Sequence, residues 1–168
     1  MPSQVARLDW SPDGQIVATT SGFIRGVYTA PLIRRGATWP IEGHLKGHKK
    51  SVNVCRFNPS LKKEIIKVDG IESMSCTTYL ATSGGDSHIW IWKSGEKNPF
   101  FIIKKAFEAG VNDITWGLNG NVLLAWSNDG EIMMSHFWSG TLGEFLTERE
   151  KQSIFYNTYG ETILSEYK

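Results

Sequence analysis

The sequence predicts an all-β chain of about three β-propeller blades, each of four antiparallel strands. The ring is incomplete, and a short C-terminal helix follows. Three observations predict this fold. A strand–turn–strand pattern recurs three times in 168 residues. The first strand of each copy ends on an aromatic residue, followed at once by turn formers. Aromatic side chains make up 12% of the chain, seven of them Trp, which suits pleated and half-buried surfaces.

The first copy runs Val5-Ala6-Arg7-Leu8-Asp9-Trp10, the turn Ser11-Pro12-Asp13-Gly14, then Ile16-Val17-Ala18-Thr19-Thr20. The second opens with Ser51–Phe57 and the turn Asn58-Pro59-Ser60. The third opens with Val111–Trp116, the turn Gly117-Leu118-Asn119-Gly120 and the strand Val122–Trp126. Pro presets φ and Gly accepts positive φ, so each turn has a mechanism. The anchors Trp10, Phe57 and Trp116 lie 47 and 59 residues apart, against about 40–45 for a propeller blade. The excess in the second copy falls in residues 61–78, which are polar and weakly periodic. They read as a loop insertion, where extra length costs little and partner contacts are a possible use.

Two hairpins complete the pattern. Tyr79–Gly84 and Ile89–Trp92 flank a tight turn, with a further strand at Phe100–Ile103. Asn128-Asp129-Gly130 leads into Ile132–Phe137, and Asp-Gly between alternating runs is a strong hairpin signal. Thr147 and Glu150 have the spacing of a capping box ahead of a helix over residues 148–156. The expected division is a blade over 1–46, a blade over 47–109 carrying the insertion 61–78, a blade over 110–146, and a helical tail over 147–168. Gly160–Lys168 reads as the start of a linker.

Composition narrows the function classes. Net charge is +1, so no global field points to nucleic acid. The charge is uneven: residues 1–68 carry 11 Lys and Arg against 4 Asp and Glu, and the remainder carries 7 against 13. Lys46, Lys49, Lys50, Arg56, Lys62 and Lys63 cluster around the middle copy's first strand. They read either as a solvated rim or as a site for an acidic protein segment or a nucleic-acid backbone. Cys55 and Cys76 form no C-x-x-C and no disulfide framework, and a reducing compartment is the simpler reading. No apolar run approaches the roughly 18 residues of a membrane span. No catalytic signature emerges: there is no G-x-S-x-G elbow, and His44 and His48 lack the Glu of a zinc-protease motif. Gly84-Gly85 lacks the rest of a phosphate loop. The expectation is no enzyme activity, no cofactor, no metal and no small-molecule substrate.

Gly47-His48 resembles the Gly-His signature of WD repeats. Aligning on Leu80-Ala81-Thr82 and Ile89-Trp90-Ile91-Trp92 places His48, Thr82, Asp86 and Trp92 at that family's structural tetrad. The resemblance implies that His48 joins Asp86 to Thr82 and that the Trp92 indole closes the network. Buried polar groups must be paired, so such a set stands or falls together. Lys93 replaces the family's Asp, and the outer copies lack the motif. Trp90 is expected on the face opposite Trp92, packed on the next blade.

A narrower resemblance rests on Leu8–Gly14, Gly47–Pro59, Asp113–Gly120 and Ser127–Gly130. It extends to the tail: Leu142-Gly143-Glu144, Thr147–Lys151 and Thr158-Tyr159-Gly160. These runs resemble the C-terminal propeller blades of the HIR/HIRA histone-chaperone family. The WD subunit of chromatin assembly factor 1 is similar in the first two blades, and a WD adaptor of another system, such as a ubiquitin ligase or a trafficking coat, is a further alternative. The HIR/HIRA resemblance implies a nuclear scaffold in replication-independent nucleosome assembly and transcriptional regulation. It implies a ubinuclein-type partner, core histones met directly or indirectly, indirect chromatin association and no membrane. It assigns no partner-binding residues. Three blades expose two uncovered blade faces, so the chain is expected to be a fragment or to complete a ring with another chain.

Overall fold

The computed structural model describes residues 6–160 apart from Asp69. Val5 and residues 161–168 of the expected elements lie outside them. The first blade is formed by β1 (Asp9–Trp10), β2 (Ile16–Ala18), β3 (Gly22–Ile24), β4 (Val27–Arg34) and β5 (Ile41–Lys46). β2 and β3 pair with successive stretches of β4, in the registers Ala18↔Leu32 and Gly22↔Thr29. They are two halves of one strand, broken where Ser21 takes φ 60°. The blade is thus four strands deep, with β5 on the far edge of β4.

The second blade is β6 (Val52–Phe57), interrupted by β7 (Lys62–Val68) and β8 (Ile71–Thr77), then β9 (Tyr79–Gly84), β10 (Ile89–Lys93) and β11 (Phe101–Ile103). Its sheet order is β6-β9-β10-β11. The third is β12 (Val111–Trp116), β13 (Val122–Ser127) and β14 (Ile132–His136). β15 (Glu144–Phe145) and α1 (Glu148–Tyr159) follow.

Equivalent turns dock on one another. In the first, Ser11 Oγ accepts from Ile16 N at 2.9 Å, and Gly14 takes φ 69°. In the second, Asn58 Oδ1 accepts from Ser60 N at 2.9 Å, while Asn58 Nδ2 donates to Gly120 O of the third turn at 2.7 Å. A Cβ on Gly120 would lie 2.0 Å from Asn58 Oδ1, so this approach requires glycine.

Burial follows the stacking of the blades. Every residue of β9 is buried, because both faces of the middle blade are covered. One face joins Ala18 and Ala30 of the first blade to Val52, Cys55, Leu80 and Trp92. The other joins Ala81, Ile89 and Ile91 to Ile114, Leu123 and Ala125 of the third. In β13 burial alternates instead, leaving Leu124 and Trp126 exposed beside Ile132 and Met134. On the first blade Trp10, Trp39 and Ile41 are exposed. Covering a large apolar side chain contributes roughly 1.5–3 kcal/mol, so both outer faces forgo stabilisation that the middle blade obtains twice.

Three expectations need correction. Residues 61–78 are not a loop: β7 and β8 form an antiparallel hairpin with Ile65 opposite Met74. Its pairing is completed from far along the chain, where β15 adds to β7 through Glu144↔Lys63 and Phe145↔Lys62. The third blade has three strands among the described residues, not four. After Phe137 a turn with Gly140 at φ 84° and Gly143 at φ 80° directs the chain to β7 instead of the edge of β14. Trp90 and Trp92 share a face and stack, with centroids 5.5 Å apart and planes at 19°. Residues two apart on a strand point the same way.

The helix begins as its capping box requires. Thr147 Oγ1 accepts from Glu150 N, and the Glu150 carboxylate accepts from Thr147 N at 2.8 Å. The helix runs to Tyr159, where Gly160 N bonds to Tyr156 O at 2.8 Å. Its far end reaches the first blade: Gln15 Nε2 donates to Thr158 Oγ1 at 2.8 Å, and Arg35 lies 4.9 Å from the Tyr159 ring centroid. Among the described residues no helix is long and apolar enough to cross a membrane.

Candidate functional site

The middle blade brings His48, Thr82, Asp86 and Trp92 together. His48 lies in the segment entering β6, Thr82 on β9, Asp86 in the following turn and Trp92 on β10. His48 Nδ1 is 2.9 Å from Asp86 Oδ2 and 3.0 Å from Oδ1. His48 Nε2 is 2.9 Å from Thr82 Oγ1, which accepts from Trp92 Nε1 at 2.8 Å. These bonds select a tautomer. The Asp86 carboxylate can only accept, so Nδ1 faces it as the donor; Nε2 of the neutral ring accepts from the Thr82 hydroxyl, whose oxygen also accepts from the indole N–H. Nδ1 thus carries the imidazole proton, and every polar atom is satisfied.

Asp86 also accepts from Lys49 N at 2.9 Å. Burial pushes its carboxyl pKa up, but His48 and the N–H groups of Lys49 and His88 outweigh that and hold it below the ordinary carboxylate range. Glycines at both ends permit the close packing. A Cβ on Gly47 would lie 2.3 Å from the Trp90 ring, and one on Gly84 would lie 1.9 Å from Ser51 O. The third blade has a reduced counterpart, in which Ser127 Oγ donates to Asp129 and Asn128 N donates to Gly110 O.

Charged groups on the first strands tie the three blades together. Asp113 is buried and meets Arg7 at 3.1 Å and Arg56 at 3.3 Å. Asp9 Oδ2 accepts from Phe57 N at 2.8 Å, and Trp116 Nε1 donates to Arg56 O at 3.0 Å. Sequence reasoning missed this set, because Arg7, Arg56 and Asp113 share no local motif.

The same contacts divide the basic cluster. Arg56 is committed to Asp113. Lys63 Nζ bonds Glu150 at 2.8 Å. Lys62 is 1% exposed, with its Nζ 3.3 Å from the Phe145 ring centroid. Its pKa is lowered by burial. Only Lys46, Lys49 and Lys50 of the six stand exposed. Cys55 is buried and free, and Cys76 is free and partly covered. Among the described residues, no three His, Cys, Asp or Glu groups gather as metal ligands.

Comparison with known proteins places these features. The WD domain, G-beta repeat family matches residues 39–93, which include the whole His48 network. Protein HIRA of Takifugu rubripes is 33% identical over 162 residues, covering 96% of this chain and 16% of that relative. Protein HIRA of Homo sapiens gives the same identity and coverage. The HIRA homolog of Drosophila melanogaster is 30% identical over 164 residues, covering 97% of this chain and 16% of its own length. The chain therefore spans about a sixth of the length of these relatives. With the propeller blades described above, the chain is a stretch of WD-repeat structure that is similar over nearly its whole length to HIRA proteins.

Proposed function

We propose that this chain is part of a protein-binding scaffold in a nuclear histone-chaperone complex. The complex would serve replication-independent nucleosome assembly and transcriptional regulation. The observation that carries this reading is sequence similarity to HIRA proteins across 96% of the chain. The scaffold is non-catalytic. It engages a ubinuclein-type subunit and meets core histones directly or through that complex, so its association with chromatin is indirect. WD blades suit this role because they present fixed strands and turns over a large surface, and loops on rigid scaffolds carry contacts.

Within this reading, His48, Thr82, Asp86 and Trp92 are structural. They hold the segment entering β6 onto the β9–β10 hairpin, and so set the position of one blade relative to the next.

The test is a titration of the purified chain with a ubinuclein-type segment, with circular dichroism on the same sample. Saturable binding by a β-rich sample is the expected result. No binding by a β-rich sample would remove the partner site from this stretch.

A further inference from the structure

Both seams between blades leave space at the surface; between β11 of the second blade and β14 of the third it amounts to about 420 Å³, lined by Phe100, Phe101, Phe137 and Trp138. Between the second and third blades, Ile89 and Ile91 meet Ile114 and Leu123, all fully buried. Between the first and second, packing stops short at the end where β6 and β10 finish. A groove of about 110 Å³ remains there. Ile16, Leu32 and Leu45 line it from the first blade, and Phe57, Leu80 and Trp92 from the second. The floor is held open. The Trp92 ring is fixed by its bond to Thr82 and by its stack on Trp90, so it cannot fold into the space. An apolar cavity of about 150 Å³ accepts benzene, so this groove suits one aliphatic side chain.

The mouth of the groove is charged, and its charges do not balance. Lys93 Nζ is held by Glu64 at 2.7 Å and Glu96 at 2.9 Å. Glu42, on the opposite lip, pairs with Arg34 on the open surface. Of the charged residues that line the groove, Glu42 and Glu96 are acids and Lys93 is the one cation, which Glu96 shares with Glu64 outside the groove. The Arg34–Glu42 pair is solvent-exposed and holds Glu42 only weakly. An incoming cation finds an unneutralised acid beside an apolar slot, whereas an incoming carboxylate meets like charge.

We propose that the seam between the first two blades docks a partner protein segment in which an aliphatic side chain stands beside an arginine or lysine. The aliphatic group enters between Leu45 and Trp92, and the cation meets Glu96 and Glu42. This rests on the scaffold reading and locates one of its contacts. The recognition element is a seam, so a substitution that shifts one blade on the other also closes or distorts the slot.

The test uses the full chain and ¹H–¹⁵N spectra, following the Trp92 indole N–H. The probe is N-acetyl-leucyl-arginine amide. N-acetyl-leucyl-glutamate amide and N-acetyl-alanyl-arginine amide serve as controls. The leucyl-arginine probe is expected to shift the indole signal saturably at millimolar concentration, with each control at least about fivefold weaker, a difference of about 1 kcal/mol. Glu42→Lys and Glu96→Lys, both on the exposed rim, should weaken the probe without changing the dispersion of the rest of the spectrum. An unmoved indole signal, or equal binding of the leucyl-glutamate control, overturns the proposal. Titration with the ubinuclein-type segment separates the two readings. If that segment binds and the dipeptide does not, the scaffold stands and the groove falls. If the dipeptide binds and the segment does not, the groove stands and the partner assignment falls.

Discussion

The imidazole of His48 donates from Nδ1 to the carboxylate of Asp86 at 2.9 Å, across 38 positions of sequence. Three N–H donors converge on that carboxylate, from His48, Lys49 and His88. Asp86→Ala leaves all three without their acceptor. We expect a loss of roughly 2–4 kcal/mol in urea unfolding. Trp92→Phe removes only the indole donor, and with it one bond and some packing, for about 1–2 kcal/mol. A His48→Ala and Asp86→Ala double-mutant cycle should give a coupling of about 1–3 kcal/mol.

The same carboxylate predicts a pH dependence. Its folded pKa lies below the ordinary Asp value of about 3.9. The stabilisation is therefore complete above that value and is lost as pH falls through the lower folded pKa. Unfolding measured from pH 6 down through about pH 3 should show a steeper acid limb for the parent chain than for Asp86→Asn. Equal acid limbs would contradict the assignment.

Glu150 predicts acid fraying of α1. Its carboxyl is pulled down to about 2 by Lys63, and then by the backbone N–H and hydroxyl of Thr147. The capping contribution is present above the unfolded Glu value of about 4.3 and disappears as pH falls through the folded value. Helical ellipticity should decline over that window in the parent chain. Glu150→Gln should show a smaller decline, because it removes the ionised partner of Lys63 at every pH.

Among the described residues, β14 is paired along one edge only, with β13. Phe137 N bonds to Asn121 O, and Ser127 N bonds to Glu131 O. In an antiparallel register this directs the backbone of Met133 and Ser135 toward β13 and that of Ile132, Met134 and His136 outward. Hydrogen exchange should be fast at Ile132, Met134 and His136 and slow at Met133 and Ser135. Uniform protection along β14 would mean that a further strand occupies its other edge.

Cys55 is fully buried, and burial foremost, with Asp9 second, raises its thiol pKa. The Cys76 thiol is pushed up to about 11 by burial, and secondarily by Asp13. Both thiols are thus protonated near neutral pH, but Cys76 is the more accessible. Alkylation of the folded chain should modify Cys76 slowly and Cys55 only after unfolding. Mass spectrometry before and after urea treatment would check this order.

The three strand–turn–strand copies were legible because each is local. Trp10, Phe57 and Trp116 precede their turns within a few residues, and side-chain period and turn chemistry act over that range. The capping box of Thr147 and Glu150 was legible for the same reason. The approach of His48 to Thr82 and Asp86 could be anticipated only by alignment to a repeat pattern, since nothing in the sequence around His48 specifies partners 34 and 38 residues away.

The sequence by itself determined an all-β chain, its three turns, most of the strands that flank them and the start of its helix; of the strand expected over residues 5–10, only Asp9–Trp10 forms β1 among the described residues. Only the tertiary structure decided the rest. Residues 61–78 hold a hairpin, β7 paired with β8 over seven positions, and β15 adds a third strand from some eighty positions downstream, with Phe145 over the Lys62 side chain. Among the described residues the third blade has three strands, and β15, which follows it in the chain, pairs with β7 instead. Strand pairing satisfies backbone groups wherever an edge is within reach of the chain, and the winning edge depends on contacts remote in sequence. Arg7, Arg56 and Asp113 met for a similar reason: stacking the blades brought their first strands side by side.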